Sequence, residues 1–110
     1  MSLDVRFSET ATVLCPHCGK AIGNEAIECV DAGGRDWYPI LESIGYYVPY
    51  DQRTEENDWY GKDMVLTTEQ AEKVYWQIVN KVNVYNGYSV SALIARALMN
   101  KNNVVVNADW

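Results

Sequence analysis

The stretch TTEQAEKVYWQIVNKV, residues 67–82, is the most regular in this 110-residue chain and predicts an amphipathic helix. Thr67 and Gln70 have the spacing of a capping box, in which each side chain bonds the other residue's backbone N–H. Apolar residues then recur at the helical period. They are Ala71, Val74, Tyr75, Ile78 and Val82.

A second helix follows Gly87, with Ser89 as its predicted N-cap. It repeats the same spacing of apolar residues through Val90, Leu93, Ile94, Ala97 and Leu98. Two amphipathic helices in tandem indicate either a helical hairpin or two helices packed on a sheet.

The N-terminal part of the chain is typical of β-strands. Leu3, Val5 and Phe7 alternate with polar residues, which is the period of a half-buried strand. Gly23 and Asn24 predict a turn. Further strands are predicted at residues 10–14, 26–30 and 104–108.

Between these halves, Asp36 is the predicted cap of a short helix that begins near Trp37 and ends at Gly45. Its apolar residues are Ile40, Leu41 and Ile44. Residues 46–62 contain Pro49, lack a period and predict a long loop, which in a compact domain is often functional.

These elements predict a single α+β domain over residues 1–110: a small antiparallel sheet with three helices and a zinc-knuckle-like turn near the N-terminus.

The chain is 48% hydrophobic and 22% charged, as is ordinary for a globular domain. No apolar run approaches the roughly 20 residues of a membrane span. The first residues lack the pattern of a secretory signal, which predicts a cytoplasmic location. The net charge of −6, with scattered basic residues, argues against nucleic-acid binding.

All three cysteines and the single histidine lie between Cys15 and Cys29. The sequence CPHCGK, residues 15–20, resembles the knuckle of zinc ribbons, in which a Cys-Pro-x-Cys-Gly turn leaves a β-strand. Zinc in structural sites takes four ligands. Cys15, Cys18 and Cys29 are the predicted ligands of a structural zinc ion. The fourth is left open among His17, Glu28, Asp31, water and a partner chain, so a homodimer sharing the metal is one alternative.

The same tetrapeptide, Cys-Pro-His-Cys, resembles the active site of the periplasmic thiol oxidases of bacteria. A thiol-disulfide oxidoreductase with Cys15 as nucleophile and Cys18 as resolving thiol is therefore an alternative function. Gly19 and Lys20 follow at once without a helical pattern, which favours the knuckle. No Ser/His/Asp arrangement or Gly-rich phosphate loop is visible, and the chain is predicted not to be an enzyme.

The long loop is rich in aromatic side chains, and Tyr and Trp are favoured at binding surfaces. The predicted protein-binding residues are Tyr46, Tyr47, Tyr50, Trp59 and Tyr60. The acidic run at residues 51–58 supports a further alternative, an inhibitor that fills the basic groove of a nucleic-acid enzyme.

The order of these features resembles a group of small uncharacterised proteins encoded by bacteriophages and prophages of Firmicutes. The matching pieces are the Leu3-Asp4-Val5 start, the helix end at residues 43–46, and the acidic loop with Glu55 and Glu56. The cysteine knuckle is an addition to that pattern. The resemblance implies a non-enzymatic accessory or protein-interaction protein and supplies no catalytic residues.

Overall fold

The computed structural model describes residues 3–81 and 84–110, and it contains a four-stranded antiparallel sheet and three helices. The strands are β1 (Asp4–Leu14), β2 (Ala21–Gly33), β3 (Met64–Leu66) and β4 (Asn103–Asp109), in the spatial order β2-β1-β4-β3. The helices are α1 (Tyr38–Ser43), α2 (Thr68–Lys81) and α3 (Gly87–Met99). The predicted α+β class is confirmed.

Helix α2 begins at the predicted capping box. The Thr67 N–H donates to Gln70 Oε1 at 2.9 Å, and the Gln70 N–H donates to Thr67 Oγ1 at 3.1 Å. Ala71, Val74 and Ile78 are buried, as their spacing predicts. Val82, the last member of that pattern, lies outside the described residues.

Helix α3 begins three residues earlier than predicted. Asn86, with φ 56°, precedes its first residue, and Ser89 lies inside the helix, so the prediction that Ser89 is the cap is wrong. Gly87 explains the early start. A Cβ at Gly87 would stand 2.7 Å from Val84 Cγ2, so the chain can enter the helix this closely only with glycine there.

The core lies between the helices and one face of the sheet. Val5 and Phe7 of β1 and Val106 of β4 are almost fully buried, as is Trp37 from the 3-10 turn before α1. Phe7 and Trp37 pack with their ring centroids 5.4 Å apart. Among the described residues, no helix has the length and apolar character needed to cross a membrane.

Two local predictions are wrong, and one strand was missed. Gly23 and Asn24 do not turn the chain, because they continue β2 opposite Val13 and Thr12. Asp36 lies within the 3-10 turn Arg35–Trp37, and Trp37 takes the N-cap position of α1. The strand β3 was not predicted, since three residues are too few to establish a period.

The hairpin of β1 and β2 extends beyond the rest of the sheet. β2 pairs with β1 along the whole of β1, whereas β4 pairs with β1 only from Asp4 to Thr10. Beyond Thr10, β1 therefore pairs with β2 alone. At the same level the register shifts: Glu9 faces Glu28 but Thr10 faces Ala26, which leaves Ile27 as a bulge residue. We call residues 10–27 the hairpin arm and residues 15–20, which join its strands, the arm tip.

Candidate functional site

The arm tip places two thiols on one tight turn. The Cys15 N–H donates to the Lys20 carbonyl at 2.8 Å, and the Gly19 N–H donates to the Cys15 carbonyl at 2.9 Å. Gly19 has φ 73°, a left-handed conformation that glycine adopts without strain. Cys15 is partly buried and Cys18 is exposed. The prediction that the CxxC occupies the turn between two strands is confirmed, whereas its zinc-knuckle role stays a prediction.

The turn also stabilises the charged form of one thiol. The backbone N–H groups of Cys18 and His17, followed by the thiol of Cys18, act as hydrogen-bond donors that lower the pKa of Cys15. A thiolate is both the nucleophilic and the metal-binding form of cysteine. The arm tip is therefore suited to either predicted chemistry.

Cys29 does not join the other two cysteines. It lies opposite Ser8, whose hydroxyl donates to Cys29 Sγ at 3.3 Å. Following β1 from Ser8 to Cys15 at the rise of a strand places Cys29 about 20 Å from the arm tip. The predicted set of Cys15, Cys18 and Cys29 is therefore not assembled in one chain. The register of the hairpin causes this separation, because the residue opposite Cys29 is Ser8, which precedes Cys15 by seven residues in the chain.

The other predicted ligands are divided in the same way. Asp31 Oδ1 accepts from Arg6 Nε at 2.9 Å, and Glu28 pairs with Arg96, both on the Cys29 side of the hairpin arm. His17 is at the arm tip, exposed between the cysteines. Within residues 3–81 and 84–110, no three His, Cys, Asp or Glu side chains are grouped to hold a metal ion.

The predicted aromatic surface divides into buried and exposed residues. Tyr46 is fully buried, so its assignment to a partner-binding surface is wrong. Its hydroxyl donates toward the Lys62 carbonyl at 2.7 Å and accepts from the Ala108 N–H at 2.7 Å, which ties the loop to β4. Burial raises the pKa of the Tyr46 hydroxyl. Tyr46 is therefore a structural residue, whose hydroxyl connects the loop to β4 through hydrogen bonds.

Two of the remaining aromatic residues, Tyr47 and Tyr60, pack against Trp110, which sequence reasoning missed. The Trp110 ring lies 5.2 Å from Tyr47 and 5.0 Å from Tyr60, both edge-on. The Arg53 guanidinium stands 5.2 Å from the Trp110 ring centroid. Tyr47 and Trp59 are half-buried, Tyr60 is about half exposed, and Tyr50 is 87% exposed. Of the predicted set, Tyr50 and Tyr60 are therefore the residues best placed to meet a partner.

The acidic run at residues 51–58 lies on the surface of the same loop. Thr54 and Asn57 close a turn, with the Thr54 N–H donating to Asn57 Oδ1 at 2.6 Å. Glu55 and Glu56 in that turn are exposed. This exposure is compatible with a solvated loop and with the hypothesis of an acidic inhibitor, which stays a prediction.

A shallow cavity of about 700 Å³ covers the sheet face opposite the helices. Four aspartates border it, together with Arg6 and Cys29. The aspartates are Asp4, Asp31, Asp63 and Asp109. The polar residues that alternate with Val5 and Phe7 in β1 are the sequence signal for this face.

Searches against protein-family models, curated proteins and solved structures found no match to this chain. The resemblance to phage proteins stays a prediction.

Proposed function

We propose that this protein is a non-enzymatic interaction protein that binds zinc through Cys15 and Cys18 at the arm tip. The observation that carries the proposal is that one exposed turn, closed by hydrogen bonds at both ends, presents both thiols. Two thiolates separated by two residues are the unit from which structural zinc sites are built. The phage resemblance supports an accessory role, and the exposed Tyr50 and Tyr60 supply a surface for a protein partner.

Zinc in this proposal orders the hairpin arm. The arm contributes no buried residue of β1 to the core. The buried residues of β1 all precede Thr10, where the arm begins. A ligand that binds the folded protein alone raises its stability by mass action. Zinc is therefore expected to raise the melting temperature, as a structural metal would.

The test is zinc binding by the reduced protein, measured by competition with a chromogenic chelator. Cys15→Ser and Cys18→Ser are expected to lose binding, whereas Cys29→Ser, about 20 Å away, keeps it. A wild-type protein that takes up no zinc, with an unchanged melting temperature, contradicts the proposal.

A second candidate function, thiol-disulfide exchange, is favoured by the placement of both thiols on one turn, whose backbone N–H groups at Cys18 and His17 lower the pKa of Cys15. The Cys15 thiolate would attack a substrate disulfide, forming a mixed disulfide and releasing one substrate thiolate. Cys18 would then attack Cys15 Sγ, releasing the second substrate sulfur and leaving a Cys15–Cys18 disulfide. Metal-free protein that reduces insulin with dithiothreitol no faster than its Cys15→Ser variant would eliminate this candidate.

A further inference from the structure

The arm tip supplies half of the ligands that a structural zinc ion requires. Such sites are almost always tetrahedral with four protein ligands, and the arm tip offers the thiolates of Cys15 and Cys18. Cys29, Glu28 and Asp31 lie outside the hairpin arm, beyond its base, opposite Ser8, Glu9 and Arg6. His17 sits between the two cysteines, where reaching the same ion would strain the turn. In the described part of the chain, two ligands are therefore lacking.

We infer that the missing ligands come from the arm tip of a second copy of this chain, so that one zinc ion joins two arms through four cysteine thiolates. The inference rests on the proposed zinc binding and specifies how that site is completed. Two identical turns related by a two-fold axis supply equivalent pairs of ligands, which is the symmetry of most homodimers. The same residues, Cys15 and Cys18, then serve on both sides of the ion.

The shape of the molecule permits this approach. Residues 16–27 are all exposed, and the long axis of the molecule is 47 Å. From Thr10 to the arm tip the arm extends about 15 Å at the rise of a β-strand. Two arms meeting tip to tip would hold the bodies about 30 Å apart, well beyond the Debye length of about 8 Å at physiological ionic strength. The net charge of −6 on each chain is therefore screened.

The surface near the arm tip also suits a second copy. Leu14 and Ile22 are 57% and 65% exposed, and Val13 is 36% exposed. These apolar side chains flank the turn on both strands, so contact between two arms buries apolar surface around the metal. Each copy also contributes Lys20. The two lysines together offset the net charge of the zinc ion with its four thiolates, which is two negative charges.

The inference is tested by titrating the full chain with zinc in the presence of a phosphine reductant, which prevents disulfide-linked dimers. Light scattering coupled to size exclusion is expected to show a doubling of mass, complete at half a zinc ion per chain and reversed by EDTA. Cobalt substitution is expected to give the absorption spectrum of a tetrahedral four-thiolate site.

The outcomes separate this inference from the proposal on which it rests. A monomer that binds one zinc ion per chain overturns the shared site but leaves zinc binding intact. A protein that binds no zinc overturns both.

Variants test the ligands and the surrounding surface separately. Cys15→Ser and Cys18→Ser are expected to remain monomeric with zinc, while Cys29→Ser dimerises like the wild type. The double variant Leu14→Ser, Ile22→Ser is expected to keep all four ligands and weaken the zinc-loaded dimer about tenfold, because it removes apolar burial. Circular dichroism in EDTA verifies that each variant is folded. Dimerisation of folded Cys15→Ser with zinc contradicts the inference.

Discussion

Glu9 and Glu28 face each other directly across β1 and β2, and Arg96 of α3 holds the two carboxylates together. Glu9 is 1% exposed, its Oε1 lies 3.5 Å from Arg96 Nε, and its Oε2 accepts from Asn102 Nδ2 at 2.8 Å. Like charges directly opposite in a sheet destabilise it. Arg96 therefore connects α3 to the base of the hairpin arm, because the Glu9–Glu28 pair lies next to the bulge at Ile27.

Arg96→Met is expected to destabilise the protein by about 2–4 kcal/mol, because it leaves a buried carboxylate without its cation. Urea unfolding followed by circular dichroism measures this change. Adding Glu9→Gln to that variant is expected to recover part of the loss. Arg6→Met is the matched control, since both members of the Arg6–Asp31 pair are largely exposed, and it is expected to leave the unfolding midpoint unchanged. Equal effects of the two arginine substitutions would contradict the role of Arg96.

Tyr46→Phe is expected to cost about 1–2 kcal/mol, because the buried Ala108 N–H loses its hydroxyl acceptor. Tyr50→Phe, at an exposed position of the same loop, is expected to have no effect. Urea unfolding of the two variants compares them directly. An unchanged midpoint for Tyr46→Phe would mean that the hydroxyl does not tie the loop to β4.

The raised pKa of Tyr46 also predicts a dependence on pH. Because burial holds the folded-state pKa above the ordinary value of 10.0, the unfolded chain loses this proton first as the pH rises. The stabilising contribution is complete below pH 10.0 and is lost above it, as pH rises toward the folded-state pKa. Melting temperatures measured from pH 8 to pH 11 should therefore decline less steeply in Tyr46→Phe than in the wild type. Parallel profiles would contradict this prediction.

Gly33→Ala is expected to destabilise the fold by about 1–3 kcal/mol. A Cβ at Gly33 would press against the Leu3 carbonyl oxygen, and backbone atoms of both strands would have to shift. Gly23→Ala in the same strand is the matched control. A Cβ there meets open space among the described atoms, so a neutral or slightly stabilising effect is expected. Thermal unfolding of both variants would distinguish close approach from a general effect of glycine in a strand.

Trp110→Ala is expected to lower stability by roughly 2 kcal/mol, since it removes three edge-on aromatic contacts, with Tyr46, Tyr47 and Tyr60, and the ring that Arg53 covers. Near-ultraviolet circular dichroism should lose intensity as Tyr47 and Tyr60 lose their fixed neighbour. Trp76→Ala is the control, because that side chain is 56% exposed on α2. If both substitutions gave the same loss, Trp110 would not be the centre of the aromatic group.

The sequence predicted those elements whose signal is local. The capping box of α2 and the apolar faces of α2 and α3 depend on residues three or four apart, and both are confirmed. The position of the CxxC in a turn is also local, because Gly19 supplies the left-handed backbone there. Partners distant in the chain were not predictable, such as β3 against β4 or Trp110 against Tyr60.

The candidate site shows the same limit. Nearness in sequence placed Cys29 with Cys15 and Cys18, but the length of the hairpin separates them. Tyr46 and Tyr47 are adjacent and of one type, yet one is buried under β4 and the other is half-buried beside Trp110. Which of two neighbours faces inward depends on the path of a loop without a period, and this is fixed only by tertiary packing.

The position of β2 at the outer edge of the sheet has a consequence for solubility. At its Gly33 end this edge is covered, because Gly33 bridges to Tyr85 and the Asp31 carbonyl accepts from Asn86 Nδ2. Toward the arm tip, the outer edge of β2 has no strand beside it among the described residues, and such an edge invites strands of other molecules to add to the sheet. Exposed Glu25 carries a negative charge on this strand, and charged side chains on an edge strand discourage such pairing. The charged side chain on β2 thus protects this edge of the sheet against aggregation.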